Sequence, residues 1–105
     1  MEEVHQSRAI KVLQVAVLYA EVEKRKGKVS KTFKNKLEAT LPSLAAMLDD
    51  EYLWQLAQKT IEAVHHALNY IESGDDYDLQ QMIKAHDEGD KICYEVMERR
   101  NTNGN

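Results

Sequence analysis

Residues 50–73 carry the feature that most limits what this chain can fold into, an apolar period that runs unbroken for about six and a half helical turns. Trp54, Ala57, Ile61, Val64, Leu68 and Ile71 follow spacings of 3, 4, 3, 4 and 3, which places them on one stripe of an α-helix. Leu53, Leu56, Ala63, Ala67 and Tyr70 widen the stripe on one flank. Gln55, Gln58, Lys59, Glu62, His65, His66, Asn69 and Glu72 fill the other side. The pattern predicts a half-buried helix. Asp49 and Asp50 are placed to accept from the unsatisfied N–H groups of its first turn, and Ser73-Gly74 supplies a residue that tolerates a left-handed stop.

A helix this amphipathic needs other apolar stripes, and the rest of the chain offers three. Residues 3–25 read as a first helix, with Ile10, Leu13, Val17 and Ala20 on one stripe. Val12, Val15, Ala16, Leu18, Tyr19 and Val22 spread apolar surface nearly all round it, so this helix is central or also meets a second chain. Gly27 ends it. Ser30 is placed to cap a second helix carrying Phe33, Leu37, Leu41, Leu44 and Leu48, but Pro42 falls inside that pattern. Proline removes a backbone donor and clashes with the preceding turn, which predicts a break near residues 40–42 with Thr40 as a new cap. Asp75 and Asp76 can cap a last helix running to about Arg99, with Leu79, Met82, His86, Gly89, Cys93 and Val96 on its stripe and Ile83, Ile92 and Met97 beside it. Gly89 in mid-helix costs about 1 kcal/mol relative to alanine unless a neighbour comes close there.

Four helices joined by short connections predict an all-α, antiparallel up-down four-helix bundle formed by residues 1–100, with a disordered polar tail at 101–105. A chain of 105 residues suits one such domain. An all-β or α/β reading has little support: the β-branched residues of 12–18 would allow a strand, but there is one proline and no hairpin dipeptide between alternating segments. The longest nearly apolar run, residues 12–20, is about half of what a spanning helix needs, so no membrane segment is expected. Cys93 is the only cysteine, and the first residues lack a signal-peptide pattern; a reducing, cytoplasmic setting follows.

Charge is unevenly distributed. Lys24, Arg25, Lys26, Lys28, Lys31, Lys34 and Lys36 are seven of the fourteen basic residues with no acid among them, leaving seven bases against eighteen acids elsewhere. In an up-down bundle this basic hairpin lies beside Glu72, Asp75, Asp76 and Asp78, which would neutralise much of it within the fold. The alternative is that Lys24, Arg25, Lys26, Lys28, Lys31 and Lys34 grip phosphates of a nucleic acid. A single interleaved aromatic, Phe33, and a net charge of −4 argue against that.

Catalytic and metal chemistry find little support. Glu62-Ala-Val-His65 matches half of a carboxylate-bridged di-metal site, but Glu62 and His66 point away from the apolar stripe; Glu2-Glu3-Val4-His5 is a second formal match at a terminus. His86, Asp90 and Cys93 share a face, yet Cys93 lies roughly 10 Å along the axis from His86, too far for a cysteine–histidine nucleophile pair. These read instead as a core cysteine and a seam histidine bonded to Asp90 or to a tyrosine. No nucleophile elbow or phosphate-cradling glycine loop occurs. No catalytic residue, cofactor or metal is assigned. Composition points instead to a small regulatory interaction protein that binds a larger protein, or a second copy of itself, through an apolar helical face. Tyr19, Val22, Tyr52, Trp54 and Tyr70 are the expected contact residues, because aromatic groups are favoured in contact surfaces.

Overall fold

The structure, a computed structural model, describes the backbone of residues 2–103 and the side chains of residues 8–95 and 98. It is all-α: α1 (Glu2–Lys24), α2 (Lys31–Glu38), α3 (Thr40–Ala45), α4 (Trp54–Ser73) and α5 (Asp76–Asn103), with no strand among the described residues. The helices pack together around α4, which touches each of the other four and lies most extensively along α5. The envelope measures 48 × 22 × 20 Å, and the longest helix, α5, is about 42 Å long at 1.5 Å per residue.

Local chemistry explains most element ends. Ser30 Oγ accepts from Phe33 N at 3.1 Å and starts α2. Gly74, with φ 69°, closes α4 and donates its N–H to Tyr70 O. Asp75 Oδ1 accepts from Tyr77 N at 3.0 Å at the start of α5. The proline break occurs, but one residue before Thr40: α2 stops at Glu38, and α3 restarts so that Pro42 is its third residue, where a backbone donor has no helical acceptor to lose. Thr40 is therefore no cap. Its hydroxyl donates to Leu37 O at 2.6 Å, and α3 starts from Ala39 without a side-chain acceptor.

The expected side-chain cap from Asp49 and Asp50 does not form on α4, whose N-cap is Leu53; Asp50 instead organises the turn before it. Its Oδ1 accepts from Tyr52 N and Leu53 N, both at 2.9 Å, while Oδ2 takes the Arg8 guanidinium at 2.5 Å. The regular helix consequently begins at Trp54 and not at Asp50, after a turn that Asp50 organises. With a side chain only 1% exposed, Asp50 has its charge balanced by Arg8, and the pair ties α1 to the connection between α3 and α4.

Several faces are rotated from their expected positions. On α4 the buried residues are Ala57, Thr60, Ala63, Val64, Ala67 and Tyr70; Trp54 is exposed, and Ile61, Leu68 and Ile71 are half-buried against the core. Four neighbours surround α4, so its covered arc is wide and centred on the small residues that let other helices approach. Thr60 tolerates burial because its hydroxyl bonds to Leu56 O at 2.8 Å. On α1 the expected stripe of Ile10, Leu13 and Val17 faces outward, and Val12, Val15, Tyr19 and Val22 are buried instead. Leu48, past the end of α3, is exposed, and Met47 takes the core position. On α5 the buried positions are Met82, Ala85 and Gly89, with Leu79, His86 and Cys93 half-buried; the side chains of Val96 and Met97 lie outside the described residues. The last helix continues to Asn103, into the segment expected to be a disordered tail, and residues 104 and 105 lie outside the described residues.

Two glycines have opposite reasons for being there. Gly27 has φ 77°, and a Cβ on it would meet Tyr70 Cε2 at 3.3 Å. A Cβ on Gly89 would meet only Leu56 Cδ1 at 3.5 Å and Lys59 Cβ at 3.7 Å, ordinary contacts. Gly89→Ala should therefore raise the urea midpoint, adding about 0.5–1 kcal/mol through helix propensity. Gly27→Ala should lower it by about 1 kcal/mol or more. Equilibrium unfolding followed by circular dichroism checks both; a lowered midpoint for Gly89→Ala would contradict the contact geometry.

Candidate protein-interaction surface

The first helix carries two apolar stripes with the same spacing. Val12, Val15, Tyr19 and Val22 form one, Ile10, Leu13, Val17 and Ala20 the other, each at intervals of 3, 4 and 3. At about 100° per residue the two stripes lie nearly opposite each other on the helix. The fold covers the first. Along the second, Ile10 is 54% exposed, Leu13 63% and Val17 70%, and Ala20 is exposed as well. A soluble helix ordinarily places charge opposite its buried face, so this outer stripe is apolar surface that the chain itself leaves uncovered.

A smaller exposed group, Leu48, Tyr52 and Trp54, sits on the connection between α3 and α4, next to Asp50. Of the expected contact residues, Tyr52 and Trp54 are thus at the surface. Tyr19, Val22 and Tyr70 are not: they are 4%, 0% and 8% exposed and belong to the hydrophobic core. Their apolar bodies are what hold α1 and α4 together. The exposed apolar residues of α1 are instead Ile10, Leu13 and Val17, and the duplicated spacing on α1 is the signal for them.

Tyr19 has a second task at the seam between α1 and α5. Its hydroxyl lies 2.6 Å from His86 Nδ1, and the rings meet edge to face with centroids 5.5 Å apart. His86 Nε2 in turn lies 3.4 Å from Asp90 Oδ2. With Nε2 facing a carboxylate, the imidazole proton belongs there and Nδ1 accepts from the tyrosine. Burial pushes the Tyr19 hydroxyl well above its ordinary value of 10.0, and the charges of Asp90 and Asp87 push it further. The seam histidine is thus hydrogen-bonded to a tyrosine, one of the two partners its position suggested, with Asp90 close by, and Cys93 is half-buried on the same helix.

The remaining titratable groups are dispersed in ion pairs. Lys59 reaches Glu62 at 3.3 Å and Glu88 at 2.9 Å, joining α4 to α5 beside Gly89. His66 Nδ1 lies 3.2 Å from Asp78 Oδ1, and His65 is exposed. No group of three histidine, cysteine or acidic side chains among the described residues converges on a metal-sized site; the side chains of Glu2 and His5 lie outside that set. In the basic segment, Lys34 is paired with Glu72 and Arg25 with Glu21, whereas Lys24, Lys26, Lys28 and Lys31 are exposed. The Lys34–Glu72 pair sets the start of α2 against the end of α4, the juxtaposition of basic and acidic segments expected from the charge pattern.

No helix among the described residues is long and apolar enough to cross a membrane. No protein-family model, curated protein or solved structure matches the chain.

The tyrosine contact has a pH signature. In the folded chain Tyr19 keeps its proton at pH values where an unfolded tyrosine, near 10, has lost it. The folded state then binds more protons than the unfolded state, and stability falls as pH rises above about 10. Tyr19→Phe removes this contribution. At neutral pH it should cost about 0.5–1.5 kcal/mol, and the difference from the parent should shrink as pH is raised past 10. Urea titrations of both proteins at neutral and alkaline pH measure it.

Proposed function

We propose that this chain is a small non-enzymatic interaction protein, an adaptor, inhibitor or assembly subunit, that works by burying the outer face of α1 against another polypeptide. The observation that carries the reading is the second apolar stripe, three large aliphatic side chains each more than half exposed on a helix whose opposite side is already in the core. Leaving such a stripe in water has an unfavourable hydration free energy that docking would recover. Tyr52 and Trp54 extend the available apolar surface at the connection between α3 and α4. The internal pairing of Lys34 and Arg25 supports a structural role for the basic segment over phosphate binding.

Tagged full-length protein, co-purified from its native host with and without nuclease, tests the reading when run beside Leu13→Glu and Lys24→Glu/Lys28→Glu variants. A protein partner retained through nuclease treatment and weakened about tenfold or more by Leu13→Glu, at unchanged helical content, is the expected result. Because Leu13 is exposed, that substitution should alter folding stability by no more than about 0.5 kcal/mol. Indifference to Leu13→Glu, together with nuclease-sensitive material lost in the lysine variant, would overturn the reading in favour of nucleic-acid binding.

A further inference from the structure

We propose that the occupant of the outer α1 face is a second copy of this chain, the two α1 helices lying antiparallel across a two-fold axis near Leu13. This rests on the reading of that face as an interaction surface and names its partner. The stripe continues past its apolar centre to a charge: Ile10, Leu13, Val17, Ala20 and Lys24 follow intervals of 3, 4, 3 and 4. That alternation is the period of a helix-on-helix seam, in which each apolar side chain meets the facing helix in turn. Aliphatic residues form the body of the seam, and Lys24 places a positive charge at its end.

Antiparallel pairing makes this seam complementary to itself. Placing Ile10 opposite Val17 of a second copy brings the two Leu13 positions together beside the axis, with the Lys24 ends of the two helices far apart. Parallel pairing would instead set Lys24 against Lys24. A separate observation points the same way. The Arg8–Asp50 ion pair fixes the connection carrying exposed Asp49 and Glu51 beside the first half of α1, while the other end of α1 leads into exposed Lys24, Arg25, Lys26 and Lys28. An antiparallel dimer brings each acidic flank towards a basic one; a parallel dimer brings like charges together. With three large aliphatic side chains per copy the apolar contact is small, so association is reversible and depends on concentration.

Two measurements test this on the full chain carrying Cys93→Ser, which removes its only thiol. Sedimentation across a concentration series should show mass rising from 12.1 kDa toward twice that value, and Leu13→Glu should hold the protein at the lower mass with unchanged circular dichroism. In the second, Ile10→Cys and Val17→Cys proteins are oxidised separately and as a mixture. The mixed disulfide should exceed either self-linked product about tenfold, since in the antiparallel pair like positions lie about 10 Å apart along the axes. Self-linked products in excess of the mixed one would overturn the antiparallel arrangement. A protein that stays monomeric at every concentration would overturn self-association altogether. In that case a heterologous partner lost with Leu13→Glu leaves the interaction reading standing, and one unaffected by it removes that reading too.

Discussion

Burial of α4 is the constraint on which the other helices depend. Its covered arc includes Ala57, Ala63 and Ala67, small enough for neighbouring helices to come close, with Val64 and Tyr70 filling the space between them. Each remaining helix reaches the core by lying against this one. The consequence is a hub with spokes, in which the position of α1 follows from contacts to α4 and from two polar ties, Arg8 to Asp50 at one end and Tyr19 to His86 further along. Both ties involve a buried oxygen that would be unfavourable without its partner. They fix which side of α1 turns inward.

Once that side is fixed, the opposite side is left uncovered by the described residues. α2 and α3 are short because Pro42 divides them, and they cover α4 and each other. Neither of them covers the outer stripe of α1, whose Ile10, Leu13 and Val17 stay exposed.

How legible this was in advance differed by element. Helix ends governed by one short-range interaction read correctly: the Ser30 cap, the left-handed Gly74, the Asp75 cap and the interruption before Pro42. Each depends on groups within three or four residues of one another, so spacing alone carries the information. Thr40 was misread because its hydroxyl had two acceptable uses, and it bonds back to Leu37 O instead of capping forward. Tyr19, Val22 and Tyr70, expected at a contact surface, lie in the core, because aromatic and aliphatic groups suit an interface and a core equally well. His86 was legible as a seam residue from its face, and that Tyr19 is the tyrosine it bonds to was not, since 67 residues separate the two.

Sequence alone determined that this chain is helical, that helix ends fall at Ser30, Gly74 and Asp75, and that α1 carries more apolar surface than one side can use. These follow from hydrogen bonds and side-chain periods that operate within a turn or two of the backbone. Which of the two stripes of α1 goes inside was decided only by the tertiary structure. Both have the same 3, 4, 3 spacing and similar hydrophobicity, so no local term separates them. The choice is made by partners distant along the chain: Asp50 for Arg8, His86 for Tyr19, and the hydrophobic core around α4 for Val12, Val15 and Val22.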